Sequence, residues 1–438
     1  MYLIFVILSL ILFWSAPGEY SYSYCALLHI CFILNALFLL VKDTKKEIVN
    51  FNLLFTISFY FVNFVYPLFI YPVNPDFSLF RFSFNTSVIS SSTALAFVAY
   101  SLYAYAYSRT SKGSIPWQIV DLYLPRGVIQ IVLSMTIILF IIFLSVGGLD
   151  FYSEIYQQGS RTTSPIVKYI IVFLNPLILL SSLMIYFTRE KKLKRLIILL
   201  STVISFILLF TGTRTLPLSV LILLFIYISR EKHFSRLNVF LCLLLGIVGM
   251  SLVGMLRGGD VNSIEYSSQW YEFMEDLIIN NRNLYVIYDF VSENGILWGI
   301  PFLGPTLSII PMLQSIVMKL WDIPYQLMSS PDFITFMEFG DNPPLGLGSN
   351  IVADVYLSFG LIGVVIAFYF LGYFIAEMRN KMWRGKLYPT LIYYIMVSES
   401  IYMCRSTYLS CFRTLVWALI ITYLLIKVFR RPSTVVQV

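Results

Sequence analysis

The sequence predicts an all-α polytopic membrane protein with about twelve spanning helices and one large extracytoplasmic loop between the ninth and the tenth. Three observations predict it. Apolar runs of spanning length recur along the chain, and a span needs about 20 mostly apolar residues. Charged residues make up only 12% of the 438, about half the supply of a soluble domain. The basic residues fall in short clusters between alternate apolar runs, as they do in cytoplasmic loops of membrane proteins.

The runs place spans near 2–15, 22–41, 51–71, 86–107, 126–146, 165–187, 196–210, 216–229, 237–256, 350–377, 386–404 and 409–429. The first could be read as a cleaved signal peptide, but it lacks the positive leading region of such peptides. The basic clusters are Lys42/Lys45/Lys46, Arg109/Lys112/Arg126, Arg189/Lys191/Lys192/Lys194/Arg195, Arg230/Lys232/Arg236, Arg379/Lys381/Arg384/Lys386 and Lys427/Arg430/Arg431. They hold 21 of the 30 basic residues, and every cluster follows an even-numbered span. Both chain ends are therefore expected in the cytoplasm, with the protein in the cytoplasmic (inner) membrane. The chain divides into a bundle at 1–256, a loop at 257–349 and a second bundle at 350–438.

The same placement assigns the net charge of +7 to membrane topology and excludes a nucleic-acid surface. The cysteines Cys25, Cys31, Cys242, Cys404 and Cys411 lie in apolar segments and form no metal-binding pattern. With His29 and His233 as the only histidines, no metal or cofactor is expected.

The loop carries a net charge of −8 and is too apolar and aromatic for disorder, so a folded cap is expected. Its first part, about 263–293, has Trp270, Phe273, Leu277, Leu284 and Ile287 at helical spacing. The stretch 296–318 is apolar but interrupted by Pro301, Pro305 and Pro311. A re-entrant or interfacial segment fits it better than a span.

Nine basic residues lie outside the clusters: Arg81, Arg161, Lys168, Arg214, Arg257, Arg282, Lys319, Arg405 and Arg413. Seven are arginine, whose planar fork suits phosphate. Snorkelling to headgroups accounts for Arg81, Lys168 and Lys319. Arg214 sits in Thr211-Gly212-Thr213-Arg214-Thr215 between two short spans, which implies a recessed turn. In Arg257-Gly258-Gly259-Asp260 the glycines allow backbone amides to approach an anion, although a helix stop would use them equally well. Arg413 lies one turn inside the last span, where Glu399 is a possible ion-pair partner. The loop ends in Gly346-Leu347-Gly348-Ser349-Asn350, with Ser349 or Asn350 placed to cap span ten. Asp354, on the same helix face as Asn350, is either a capping charge or a catalytic carboxylate.

Together the many spans, the late external loop, TGTR at 211–214, RGGD at 257–260 and GLGSNIVADVYLSFGLIG at 346–363 make the chain resemble the Wzy-type oligosaccharide repeat-unit polymerases of O-antigen and capsule. The resemblance implies a membrane glycosyltransferase that moves a growing glycan from undecaprenyl pyrophosphate onto the sugar of an incoming lipid-linked repeat unit. The resemblance implies that it needs no nucleotide sugar and works at the outer membrane face, with membrane lipid and a chain-length regulator protein as expected partners. On that reading Asp354, Arg214 and Arg257 are the expected catalytic residues. Arg282, Arg405, Arg413, Asn350, Gly258, Gly259 and Arg161 are expected to bind substrate. Arginines would stabilise the leaving pyrophosphate, and a carboxylate among Asp354, Asp260, Glu272, Glu275 and Asp276 would serve as base. The alternatives are a lipid-linked oligosaccharide flippase, which would place its charges near the midplane, and an O-antigen ligase. The family pattern gives ligases an outer-face histidine, and none is expected here.

Overall fold

The computed structural model describes residues 1–43, 47–75, 83–111, 122–149, 165–210, 213–232, 234–235, 237–239, 241–242, 245–246, 278–343 and 346–429. The chain order is α1 (Tyr2–Trp14), α2 (Tyr22–Asp43), α3 (Phe51–Val65), α4 (Ile89–Thr110), α5 (Arg126–Ser145), α6 (Pro165–Leu183), α7 (Lys191–Phe210) and α8 (Thr215–Glu231). The loop contributes α9 (Asn281–Asn294), α10 (Leu303–Leu307), α11 (Leu313–Trp321) and α12 (Ser330–Phe339). The chain then returns through α13 (Ile351–Trp383), α14 (Leu387–Met403) and α15 (Phe412–Phe429). Among the described residues there is no strand, and eight helices are long and apolar enough to cross a membrane. The apolar helices α1, α8 and α14 are shorter, at 13, 17 and 17 residues. The expected span at 237–256 lies largely outside the described residues.

Helices α4 and α13 form the hub. Almost every side chain of α4 is buried, and the run Ala94, Ala96, Ala99, Ala104 and Ala106 supplies the small residues that let helices approach closely in lipid. Gly372 of α13 marks the closest approach, since a Cβ there would stand 2.2 Å from the Tyr103 carbonyl oxygen. Helices α1 and α2 pack on one side of the hub, with α3 and α14 beside them, while α5, α6 and α15 form a neighbouring group.

Two expectations about boundaries change. Helix α7 starts at Lys191, not near 196, and runs for 20 residues. At 1.5 Å per residue that is about 30 Å, a full hydrocarbon thickness. The basic cluster forms its first turn, so the recess inferred from a short span survives only on the α8 side. The second change is in α13, which is broken at Gly360 (φ 63°, ψ −158°). The break frees backbone carbonyls that hydrocarbon cannot satisfy. The loop supplies the donors: Leu297 N–H reaches the Leu357 oxygen at 2.8 Å, and Gly299 N–H reaches the Ser358 oxygen at 3.0 Å. The stretch 296–318 is thus no span. It is a series of short turns and helices packed on the opened backbone of α13, and Trp417 Nε1 of α15 ties it down by donating to the Ile309 oxygen at 3.0 Å.

Among the described residues, members of the basic clusters gather at one end of the bundle: Arg126 stands 3.6 Å from Glu190, Lys194 stands 3.7 Å from Glu231, and Asn380 beside Arg379 donates to the Thr110 oxygen at 3.0 Å. There Arg379 is buried, not solvated as its place in a basic cluster suggested. Its guanidinium pairs with Asp43, hydrogen-bonds Tyr107, stands 3.6 Å from Glu47 and lies 4.6 Å above the Trp383 ring. Asp43 also accepts from Asn52 Nδ2 at 2.7 Å and Tyr107 Oη at 3.0 Å. This network joins α2, α3, α4 and α13. Removing one partner leaves a buried charge uncompensated, which costs about 3–5 kcal/mol. Arg379→Ala is expected to lower the melting temperature in detergent sharply, and Asp43→Ala to do the same. Asp43→Asn, which keeps one accepting oxygen but not the charge, should fall between. Wild-type melting of Arg379→Ala would contradict this role.

Candidate functional site at the loop end of the bundle

The opposite end is built around a polar run, Asn280-Asn281-Arg282-Asn283, at the start of α9. These four residues are 3%, 0%, 1% and 0% exposed. Four consecutive buried polar side chains require partners, and most of them come from the segments entering α13 and leaving α14. Asn280 Nδ2 donates to the Ser349 oxygen at 2.6 Å and the Arg405 oxygen at 3.2 Å, while Arg405 Nε donates to Asn280 Oδ1 at 3.4 Å. Asn283 Nδ2 donates to the Leu347 oxygen at 3.0 Å. Gly348 between them has φ +69°, and a Cβ there would stand 2.8 Å from Asn280 Nδ2. Glycine is what lets the segment 346–350 lie against α9.

Asn350 caps α13 through its side-chain oxygen, which accepts from Val352 N–H at 2.8 Å, and its Nδ2 donates to Asn63 Oδ1 of α3 at 2.9 Å. Asp354, one turn further, is 1% exposed. Its Oδ1 accepts from Ser330 Oγ of α12, and its Oδ2 accepts from the backbone N–H of Tyr408 at 2.8 Å. Ser330 Oγ also lies 2.7 Å from Ser349 Oγ. Both carboxylate oxygens are engaged, which favours a structural charge over a base that must meet an incoming hydroxyl.

The arginines separate by their surroundings. Arg282 is buried against Glu338 of α12 and donates to the Ser83 oxygen at 3.3 Å. Burial lowers its pKa and Glu338 raises it again, but the guanidinium stays charged. Its charge is already matched. Arg405, in the turn between α14 and α15, is half-buried, and among the described residues no carboxylate pairs with it. Burial holds its pKa below the ordinary arginine value. A partly desolvated, unmatched guanidinium is a strong anion site.

Arg214 is half-buried at the entry to α8, where its carbonyl accepts from Leu218 N–H at 3.0 Å. Arg413 stands in the first turn of α15. Glu399 is buried near the end of α14, and among the described residues no ion pair joins it to Arg413. Helix α8 packs against α14, and Arg230 near the end of α8 donates to Tyr394 in the first half of α14, so the start of α8 lies toward the end of α14, and Arg214, Arg405 and Arg413 occupy the same end of the bundle. Arg161, Arg257, Gly258, Gly259, Asp260, Glu272, Glu275 and Asp276 lie outside the described residues. Sequence reasoning passed over Asn280, Asn281, Asn283 and Ser330. The NNRN run in an otherwise acidic and apolar loop was the available signal. Among the described residues no three His, Cys, Asp or Glu side chains gather as a metal site.

The family model for O-antigen polysaccharide polymerase Wzy matches residues 1–433, essentially the whole chain. No curated protein and no solved structure matches it.

The Asp354 arrangement gives a stability prediction. Asp354→Ala orphans the buried Tyr408 N–H and leaves the Ser330 hydroxyl only Ser349, at about 1–3 kcal/mol for an unsatisfied group. The variant is expected to melt several degrees lower in detergent, with protease sensitivity appearing first in the loop and the 404–411 turn. Unchanged melting and protection would show that Asp354 does not hold these segments together.

Proposed function

The chain belongs to the O-antigen polysaccharide polymerase Wzy family, and we propose that it joins lipid-pyrophosphate-linked repeat units at the loop end of the bundle, on the outer face of the cytoplasmic membrane. The loop end faces outward on this reading because the described members of the basic clusters gather at the other end, which the positive-inside rule assigns to the cytoplasm. The supporting observation is Arg405. It is partly desolvated, lacks a carboxylate partner among the described residues and is fixed by Asn280. Arg405 contacts the donor pyrophosphate and stabilises the charge that develops as the glycan leaves. Arg214 and Arg413, at the same end, add positive charge where the lipid carrier approaches from the side.

The reaction breaks the bond between the glycan's reducing-end carbon and the pyrophosphate oxygen, and forms one from that carbon to the acceptor hydroxyl oxygen. The acceptor proton passes to a carboxylate, and the electron pair stays with the lipid pyrophosphate. With both oxygens of Asp354 engaged, the base is assigned to the acidic residues Asp260, Glu272, Glu275 and Asp276. Asp354 becomes a positioning residue that fixes the Tyr408 turn after Arg405. The net −8 charge of the loop repels pyrophosphate, so the carrier enters at the level of the arginines, beneath most of the loop. A chain-length regulator would act on this same exported polymer.

Removing one stabilising donor from such a site costs about 100- to 1,000-fold in rate. Arg405→Ala is expected to leave single repeat units on the cell surface with no long glycan, at normal protein level, and Arg405→Lys to restore short chains. Arg214→Ala should shorten the chains in the same direction. Loss of all surface glycan, single units included, would indicate a flippase. Asp354→Asn, which can retain an acceptor, should still polymerise. A glycan-negative but well-folded Asp354→Asn would restore Asp354 as the base.

A further inference from the structure

Within the polar run, three residues each have at least one side-chain partner, although Asn283 Oδ1 accepts no bond among the described residues. Asn280 holds Arg405 and Ser349, Arg282 holds Glu338, and Asn283 holds the Leu347 carbonyl. Asn281 is different. It is 0% exposed, and among the described residues neither its Oδ1 nor its Nδ2 has a hydrogen-bonding partner. Burying a whole primary amide without partners is costly. An apolar residue of similar size would fill the position without that cost.

The position narrows what the amide could serve. Asn281 is adjacent in the chain to Asn280, which bonds Arg405, and the consecutive Cα atoms lie about 3.8 Å apart. Helical spacing separates Asn281 from the Asn280/Asn283 face turned to segment 346–350 and aligns it with Tyr285 and Tyr288. Tyr288 stacks on Tyr356 of α13 at 5.4 Å and 6°, and Tyr285 stacks on Phe84 at 5.2 Å and 29°. The open amide therefore lies on the stripe of α9 that packs against the bundle, one residue from the site assigned to the pyrophosphate.

We infer that Asn281 reads sugar hydroxyls of the substrate glycan. The inference rests on the polymerase reading above. The chemistry selects the ligand class. A primary amide presents a donor and an acceptor side by side, whichever way the group is turned. An ionised phosphate only accepts and would leave Oδ1 unanswered. A lipid chain answers neither atom. A sugar hydroxyl both donates and accepts, and a vicinal pair matches the amide's two atoms. Asn281 thus acts on the sugar next to the pyrophosphate, as a specificity residue distinct from the arginines that meet the anion.

The test uses the full-length protein in a strain lacking its own copy, so that the cognate repeat unit is present. Wild type, Asn281→Leu and Asn281→Gln are compared by surface-glycan ladder, protein level and detergent melting. Asn281→Leu removes the buried amide and is expected to melt at or above the wild-type temperature while producing at least about tenfold less polymer, the loss of one hydrogen-bond contribution near 1.4 kcal/mol. Asn281→Gln should recover part of the ladder. A wild-type ladder from Asn281→Leu would overturn the inference and leave the polymerase reading standing, as expected if the amide holds only a buried water. Lower melting with a matching loss of protein would also overturn it, by showing a structural amide. If the wild-type gene itself fails to lengthen the glycan, the polymerase reading fails instead.

Discussion

The loop end depends on one carboxylate. Asp354 in the first turn of α13 accepts from Ser330 of the loop on one oxygen and from the Tyr408 backbone on the other. Three segments far apart in sequence therefore meet at a single buried charge: the loop helix α12, the head of the hub helix and the turn between the last two helices. Arg405 belongs to that turn, and the Ser349 carbonyl that shares Asn280 with it belongs to the cap of α13. A buried carboxylate without these donors would be strongly disfavoured, so the three segments are held in place together.

The hydrocarbon environment shapes the rest. A broken helix in lipid must recover its backbone hydrogen bonds from protein, and the break at Gly360 does so from the loop segment 297–299. The loop is thereby an integral part of the bundle, and the polar layer beneath it is roofed by structure tied to α13 at two levels. At the far end the Arg379–Asp43 network closes the hub. One end of the molecule spends its buried charges on each other, and the other leaves Arg405 unmatched by carboxylate among the described residues. That difference separates the structural end from the end assigned to chemistry.

Much of the architecture was legible because lipid imposes a length on helices and a side on basic residues. Among the described residues most apolar runs coincide with helices to within a few residues, with 237–256 lying largely outside them, and the prolines of 296–318 mark a segment that forms short helices and turns. The exceptions have physical causes. The start of α7 was missed because a basic cluster can form the first turn of an amphipathic helix as readily as a loop. The burial of Arg379 was hidden because its partner Asp43 is 336 residues away in sequence. Local chemistry offered Ser349 or Asn350 as the cap of α13, and Asn350 is the one that caps it. Spacing offers Glu399 as a partner for Arg413, but among the described residues the two form no ion pair, because helix positions along the chain do not fix which side chains face each other. The division of labour within the site was not legible. Whether an arginine is neutralised, as Arg282 is, or unmatched by carboxylate, as Arg405 is, depends on long-range contacts that spacing does not encode.

The central claim is that this end of the molecule joins glycan units and does not merely pass them across the membrane. The direct measurement places the purified protein in lipid vesicles with its lipid-pyrophosphate-linked repeat unit and no nucleotide sugar, and follows glycan length and released lipid pyrophosphate together. The account predicts a ladder of lengthened chains, with one lipid pyrophosphate freed per bond formed and both signals lost in Arg405→Ala. Repeat units that cross the vesicle membrane without lengthening, with no pyrophosphate lipid released, would contradict it.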